Sequence, residues 1–388
     1  MRFSGFTDEW NEVKLGDISK SITKGTTPKK YSDTGINFVK VESIENNKIY
    51  KIDAFIDENT HKDELSRSIL KTNDLLFSIA GSLGRTTIVT ENILPANTNQ
   101  ALSIIRFYDN CNCNLNFIQS RLNTYDIAKY IFQNLAVGAQ PNLNLQQVGN
   151  IKIRIPSFNE QNKIQGFLEC VDIKIELLKK KYQQYQEFKK YLMQQIFTQK
   201  LRFDFDEIRL KSISKINKGK QLNKEHMLEI GKFYVLNGGQ EPSGYTDSWN
   251  TSENTITISE GGNSCGFVNF NTEKFWSGGH CYYLNKLSEN IDVYYLYSYL
   301  KFIEPQIMRL RVGSGLPNIQ KGDIENIKIK ILPKKEQIKI SNLLLSTDNK
   351  ISSIESQKDS FEIFKKGLLQ QMFVVQLILS LLQNKKHI

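Results

Sequence analysis

The sequence predicts an α+β fold: two mixed, mainly β blocks joined by two long helices that form an antiparallel coiled coil, with the two halves related by a pseudo-two-fold axis. Three observations predict it. Residues 141–197 repeat as residues 317–373 at a constant offset of 176, without a gap, and 22 of the 57 pairs are identical. Each copy carries an apolar seam of heptad spacing. The segments between the copies alternate strand-like runs with Gly, Asn and Thr turns. With 388 residues the chain is too long for one ordinary core. The expected division is a first block over 1–158, a first long helix over 159–200, a second block over 201–334, and a second long helix with a tail over 335–388.

In the first block, strand-like runs fall at 38–41, 75–79, 86–89 and 102–105, and a helix is expected from Leu115 to Phe132. The Gly-rich segment Val137-Gly138-Ala139-Gln140-Pro141 follows, then a strand at 151–155. The second block runs in the same order. It has strand-like runs at 255–258 and 274–276, a helix from Val293 to Leu310, a Gly-rich turn at 312–317 and a strand at 327–331. The repeat is also cyclic: Arg2-Phe3, Asp8-Glu9 and Val13-Lys14-Leu15 at the start of the chain match Arg202-Phe203, Asp206-Glu207 and Ile208-Arg209-Leu210. Architecture therefore recurs in the two blocks, while their sequences diverge.

The first helix places Ile164, Val171, Leu178, Tyr185 and Leu192 seven residues apart, with Leu168 and Ile175 four residues after members of that series. The offset carries the pattern to Ile340, Ile354, Phe361 and Leu368, with Leu344, Ile351 and Met372. Lys189 and Lys365 interrupt the seams at matching positions, and Tyr185 matches the aromatic Phe361. Shared interruptions favour packing of the two helices on each other. A two-fold axis crossing them makes the pair antiparallel. About 40 residues of helix span about 60 Å at 1.5 Å per residue.

The net charge is +10, and its location is informative. Residues 1–150 hold 16 basic and 16 acidic side chains, and residues 201–326 hold 14 and 15, so both blocks are near neutral. The excess lies in 151–200 and 327–388, the matching helical segments. No stretch reaches the roughly 20 apolar residues that span a bilayer. The first residues lack the apolar core of a signal peptide, so a cytoplasmic protein with no membrane partner is expected. Five cysteines are expected to be reduced thiols. Cys111-x-Cys113 and His280-Cys281 hint at metal ligation, but zinc knuckles come in pairs at set spacing, and no metal is expected.

Catalytic signatures are absent. No Pro-Pro pair exists to build the Asn/Asp-Pro-Pro-aromatic turn of an adenine methyltransferase. Gly219-Lys220 is followed by Gln221, which fails the P-loop pattern. There is no His-Glu-x-x-His and no Gly-x-Ser-x-Gly elbow. The polar loops suit nucleic acid better. Lys24, Thr26, Thr27, Lys29 and Lys30 crowd one loop, and Lys218 and Lys220 another. Asn97, Asn99, Gln100, Gln140, Asn142, Asn237, Gln240, Asn263 and Asn318 offer amides of the kind that pair with adenine edges. Arg85, Arg309 and Arg311 suit guanine or phosphate. These are the candidate DNA contacts. A solvated loop is the bland alternative for each, and a protein-binding scaffold with two β-rich modules is the alternative for the whole chain.

The Glu-Gln pair opening each long helix (Glu160-Gln161, Glu336-Gln337), the ungapped repeat, the Lys-Lys-x-Leu-x-Gln-Gln endings and Trp10-x-x-Val13-Lys14-Leu15-Gly16-Asp17 resemble the specificity subunits of type I restriction–modification systems. Lys24-Gly25-Thr26-Thr27-Pro28 is similar to a loop of their first domain. The resemblance covers essentially the whole chain. It implies two target-recognition domains, each reading one half of a split double-stranded DNA site. It also implies spacer helices that dock two methyltransferase subunits, with translocase–nuclease subunits joining them. S-adenosylmethionine, ATP and magnesium then belong to those partners, and this chain has no catalytic residues or cofactor of its own. Two segments depart from the pattern. The second block has Lys218-Gly219-Lys220-Gln221 in place of the first loop, and after Phe373 the chain reads Val-Val-Gln-Leu where the first copy has Thr-Gln-Lys-Leu.

Overall fold

The computed structural model describes residues 2–135, 141–198, 206–313, 315 and 317–373. Two compact units divide the chain, residues 1–177 with 358–388 and residues 178–357. Each unit contains one β-rich block and parts of both long helices.

The first unit is built on an antiparallel four-stranded sheet in the order Ser19–Lys24, Leu102–Phe107, Leu75–Ser78, Thr86–Ile88. A three-stranded sheet sets Ile36–Val39 between Phe55–Ile56 and a parallel Ala96–Thr98. Asn11–Lys14 pairs with Lys152–Ile155. The second unit repeats all three. Its four strands run Lys215–Lys218, Cys281–Asn285, Thr255–Ser259, Val268–Asn271. Phe233–Leu236 lies between Gly244–Thr246 and a parallel Trp276–Ser277. Asp206–Arg209 pairs with Lys328–Ile331. The strand-like runs read from sequence thus fall on real strands, with ends moved by a residue or two. Both faces of the central strands are buried: Leu75–Ser78 lacks clean alternation, while Thr255–Ser259 alternates hydroxyl and isoleucine side chains yet is buried on both sides.

Two expected helices are each broken. Leu115–Leu122 stops, and Tyr125–Gln133 starts after Thr124, whose extended backbone caps it. The break is locked by Arg121, 1% exposed, whose guanidinium grips the Asp126 carboxylate at 2.8 and 2.5 Å. In the second unit Val293–Phe302 gives way to Glu304–Met308, with Pro305 in the first turn, where no backbone N–H is needed. A second correction concerns the thiols. Cys111 and Cys113 form a disulfide, with Cα atoms 5.3 Å apart, within bridging reach. Cys170, Cys265 and Cys281 are free.

The long helices run Phe158–Phe197 and Lys334–Phe373, 40 residues each. Their pairing is antiparallel, and it is visible inside each unit. In the first, Ile164, Leu168, Val171 and Ile175 share a core with Leu368, Met372 and Phe373 from the far end of the other helix. In the second, Met193, Ile196 and Phe197 share a core with Ile340 and Leu344. Leu178 and Ile354 are buried, while Tyr185, Leu192, Ile351 and Phe361 are half-buried. Two ion pairs cross the seam at repeat-related positions: Lys365 Nζ to Asp172 Oδ1 at 2.5 Å, and Lys189 Nζ to Asp348 Oδ1 at 2.6 Å. Among the described residues no helix is long and apolar enough to cross a membrane.

Candidate nucleic-acid interface

In the first unit the loop after Ser19–Lys24 crosses the ends of two sheets. Gly25 N–H donates to Leu102 O at 3.1 Å and Thr26 N–H to Thr98 O at 3.0 Å. A Cβ on Gly25 would sit 2.1 Å from Asn99 O, so only glycine fits. The same end receives Ile79, whose N–H donates to Ala101 O at 2.8 Å and whose carbonyl accepts from Leu143 N–H at 2.9 Å. Asn142 bridges to Ala80 there. The fold therefore gathers Lys24, Thr26, Thr27, Asn99, Gln100 and Asn142 at one end of the sheet. Thr27 Oγ1 bonds Gln100 Oε1, which ties the two loops together. Lys24, Thr26, Thr27, Lys29, Lys30, Gln100 and Asn142 are exposed, and Asn99 is half-buried.

Two first-unit candidates are used by the fold itself. Asn97 is fully buried. Its amide donates to Leu65 O at 2.9 Å and Ser68 Oγ at 3.1 Å, and its oxygen meets His61 Nδ1, so it holds the interior rather than facing a ligand. The Arg85 side chain is exposed, but its guanidinium donates to the carbonyls of Val41 at 3.3 Å and Ile44 at 3.0 Å. Gln140 lies outside the described residues.

The second unit builds the same end from different residues. Gly219 N–H donates to Cys281 O at 2.8 Å and Lys220 N–H to Ser277 O at 2.8 Å, and a Cβ on Gly219 would lie 2.2 Å from Gly278 O. Lys218-Gly219-Lys220 thus takes the place of Lys24-Gly25-Thr26. Glu260 N–H donates to His280 O at 2.9 Å and Glu260 O accepts from Ile319 N–H at 2.9 Å, so Glu260 takes the place of Ile79 and His280 that of Ala101. Tyr282 stands opposite Lys218 as Ser103 stands opposite Lys24. Asn318 bridges to Gly261 as Asn142 does to Ala80. The half-buried Asn237 accepts from His280 N–H at 3.3 Å. Lys220, Gln240, Asn263, Arg309 and Arg311 are exposed.

Sequence reasoning passed over Glu260. It is 4% exposed, and its Oε1 accepts from Lys218 Nζ at 2.6 Å and Tyr282 OH at 2.9 Å. Oε2 lies 3.5 Å from His280 Nδ1. Burial, with the adjoining carboxylate, pushes the Tyr282 phenol well above its usual range, so it stays protonated and donates. A charged residue directly after the buried strand Thr255–Ser259 was the available signal. Among the described residues no group of three or more His, Cys, Asp or Glu side chains is placed to hold a metal ion.

Comparison with known proteins agrees with this architecture. The type I restriction modification DNA specificity domain matches residues 7–187 and again 203–362. A putative type I restriction enzyme MjaX specificity subunit of Methanocaldococcus jannaschii is 24% identical over 93% of this chain and 92% of its own length. A putative type I specificity subunit of Mycoplasma genitalium is 34% identical over 37% of this chain and 38% of its own. The crystal structure of a type I restriction-modification S subunit from M. genitalium superposes with a TM-score of 0.66 at 18% identity, covering 96% of this chain and 97% of that one. A further chain, from a structural study of type I complex assembly and conformational transition, gives a TM-score of 0.60 at 16% identity, over 95% and 98% of the two chains. The protein belongs to the type I restriction–modification specificity subunit family.

Proposed function

We propose that this chain is the sequence-reading, non-catalytic subunit of a type I restriction–modification complex. Each β-rich domain reads one half of a split double-stranded DNA target. The long helices set the gap between half-sites and dock two methyltransferase subunits, and translocase–nuclease subunits join that assembly. Methylation and cleavage are the work of these partners.

One observation carries the reading. The same strand plan, with the same glycine-tethered lysine loop, presents different neighbours in its two copies: Ile79, Ala101 and Ser103 in one, Glu260, His280 and Tyr282 in the other. A common scaffold with divergent tips suits two readers of two different sequences. Exposed apolar side chains on the long helices, including Leu177 at 58% and Tyr191 at 57%, suit protein partners. The near-neutral domains suit a chain that needs those partners to neutralise phosphates, so it binds DNA weakly alone.

The test exchanges one domain with that of another specificity subunit and maps the methylated sites in cells. Each exchange is expected to change one half-site and leave the other intact. A change in both, or in neither, overturns the modular reading.

A further inference from the structure

An interior carboxylate is costly unless paired, because its charge loses hydration. The first unit fills the equivalent place with Ile79, so the scaffold does not require the charge that Glu260 brings. What Glu260 does with it is specific. Oε1 is shared by Lys218 and Tyr282, while Oε2 is buried without a hydrogen-bond donor and faces the His280 imidazole at 3.5 Å. The Lys218 and His280 side chains are 52% and 62% exposed, so both present their outer ends to solvent.

We propose that Glu260 is a positioning residue of the second domain's DNA-reading surface, holding Lys218 and His280 side by side so that they meet a base edge in the half-site this domain reads. The proposal rests on the reading of the chain as a DNA specificity subunit and names the residues that do the reading.

Charge favours a base edge over a phosphate. Lys218 lies 2.6 Å from the carboxylate that balances it, so the pair offers little net charge for counterion release. Its remaining N–H donors keep their direction, and direction is what distinguishes bases. His280 is held by proximity to charge instead. The carboxylate oxygen 3.5 Å from Nδ1 favours the tautomer with its proton there, which leaves Nε2 as the ring's acceptor. The first domain has Lys24 in the same place without this frame, since Ile79 and Ala101 supply no polar side chain.

The experiment uses the full chain in complex with the methyltransferase subunits proposed as its partners. Affinity is measured for the duplex target and for single-base-pair variants of both half-sites, at several salt concentrations. His280→Ala and Glu260→Gln are each expected to lose about ten-fold in discrimination at the same base pair of the second half-site. The first half-site and the salt slope stay unchanged. In 15N-histidine spectra the Nδ1–H tautomer of His280 is expected in the unsubstituted chain and lost in Glu260→Gln, a signature that a purely structural role would not move. A uniform loss over all sequences with a salt slope reduced by about one marks a phosphate contact and overturns the proposal. So does unchanged discrimination in both variants. If Glu260→Gln does not fold, the exposed His280→Ala decides alone. If the unsubstituted complex discriminates no base pair at all, the DNA-reading function itself fails. If it discriminates and both variants match it, only the role of Glu260 falls.

Discussion

Gln161 and Gln337 show why a two-residue signature can repeat through a diverged chain. Gln161 Nε2 donates to Pro156 O at 2.9 Å and Asn112 O at 3.3 Å, and Oε1 accepts from Asn114 N–H at 2.8 Å. Gln337 makes the same three bonds, to Leu332 O at 2.7 Å, Asn290 O at 3.1 Å and from Asp292 N–H at 2.9 Å. Each amide staples the first turn of a long helix to the segment that opens the domain's own helix. Replacing either with Leu keeps the volume but strands three backbone groups. Unfolding by urea should show a loss of about 2–3 kcal/mol. Arg121 offers a sharper case, since it is buried and relies on Asp126. Asp126→Asn should cost about 3 kcal/mol by leaving that cation uncompensated. Burial, the largest single influence, would raise the Asp126 carboxyl, but the bond and charge of Arg121, with bonds from Thr124 and its own backbone N–H, together outweigh it and hold the carboxyl below its ordinary value. The sign follows. Stability from this pair is present above the unfolded aspartate value near 3.9 and is lost as pH falls through the lower folded value. The native chain should therefore lose stability below about pH 4, and an acid titration of Asp126→Asn should lack this contribution.

At the scale of elements, the seam interruptions turn out to be functional parts of the pairing. Lys189 and Lys365 break an apolar series, and Asp172 and Asp348 are identical in the two copies. The antiparallel arrangement brings Lys365 to Asp172 and Lys189 to Asp348. In a parallel pair, or one slipped by a heptad, these charges would lose their partners, so they specify register. Partly exposed pairs contribute modestly, about 0.5–1 kcal/mol each. Lys365→Asp alone should destabilise by about that amount, and the double exchange Asp172→Lys with Lys365→Asp should recover most of it. A double-mutant cycle by denaturation measures this coupling. The helix positions were legible because heptad spacing is local. The breaks at Thr124 and Ile303 were missed because apolar periodicity continues through them, although Pro305 marked the second.

For the whole molecule, two long helices of one length connect two domains of one plan. As spacers they should act as a ruler. Inserting one heptad into both helices adds about 10 Å of helix, or about three base pairs at 3.4 Å each. Methylome sequencing of cells carrying the lengthened chain should show both half-sites unchanged and the gap between them altered. An unaltered gap would remove the ruler role.

The repeat, the two long helices, their antiparallel pairing and the family were all written in the sequence, because identity at a fixed offset and seven-residue spacing need no knowledge of distant contacts. The equivalence of Lys24-Gly25 and Lys218-Gly219 was written only faintly, and strand register decided it. The removal of Asn97 to the interior, and the meeting of Lys218, Glu260, His280 and Tyr282, were decided by tertiary structure alone. Those residues lie up to 64 positions apart in the chain. A hydrogen bond depends on where strands deliver side chains, and composition carries no trace of that.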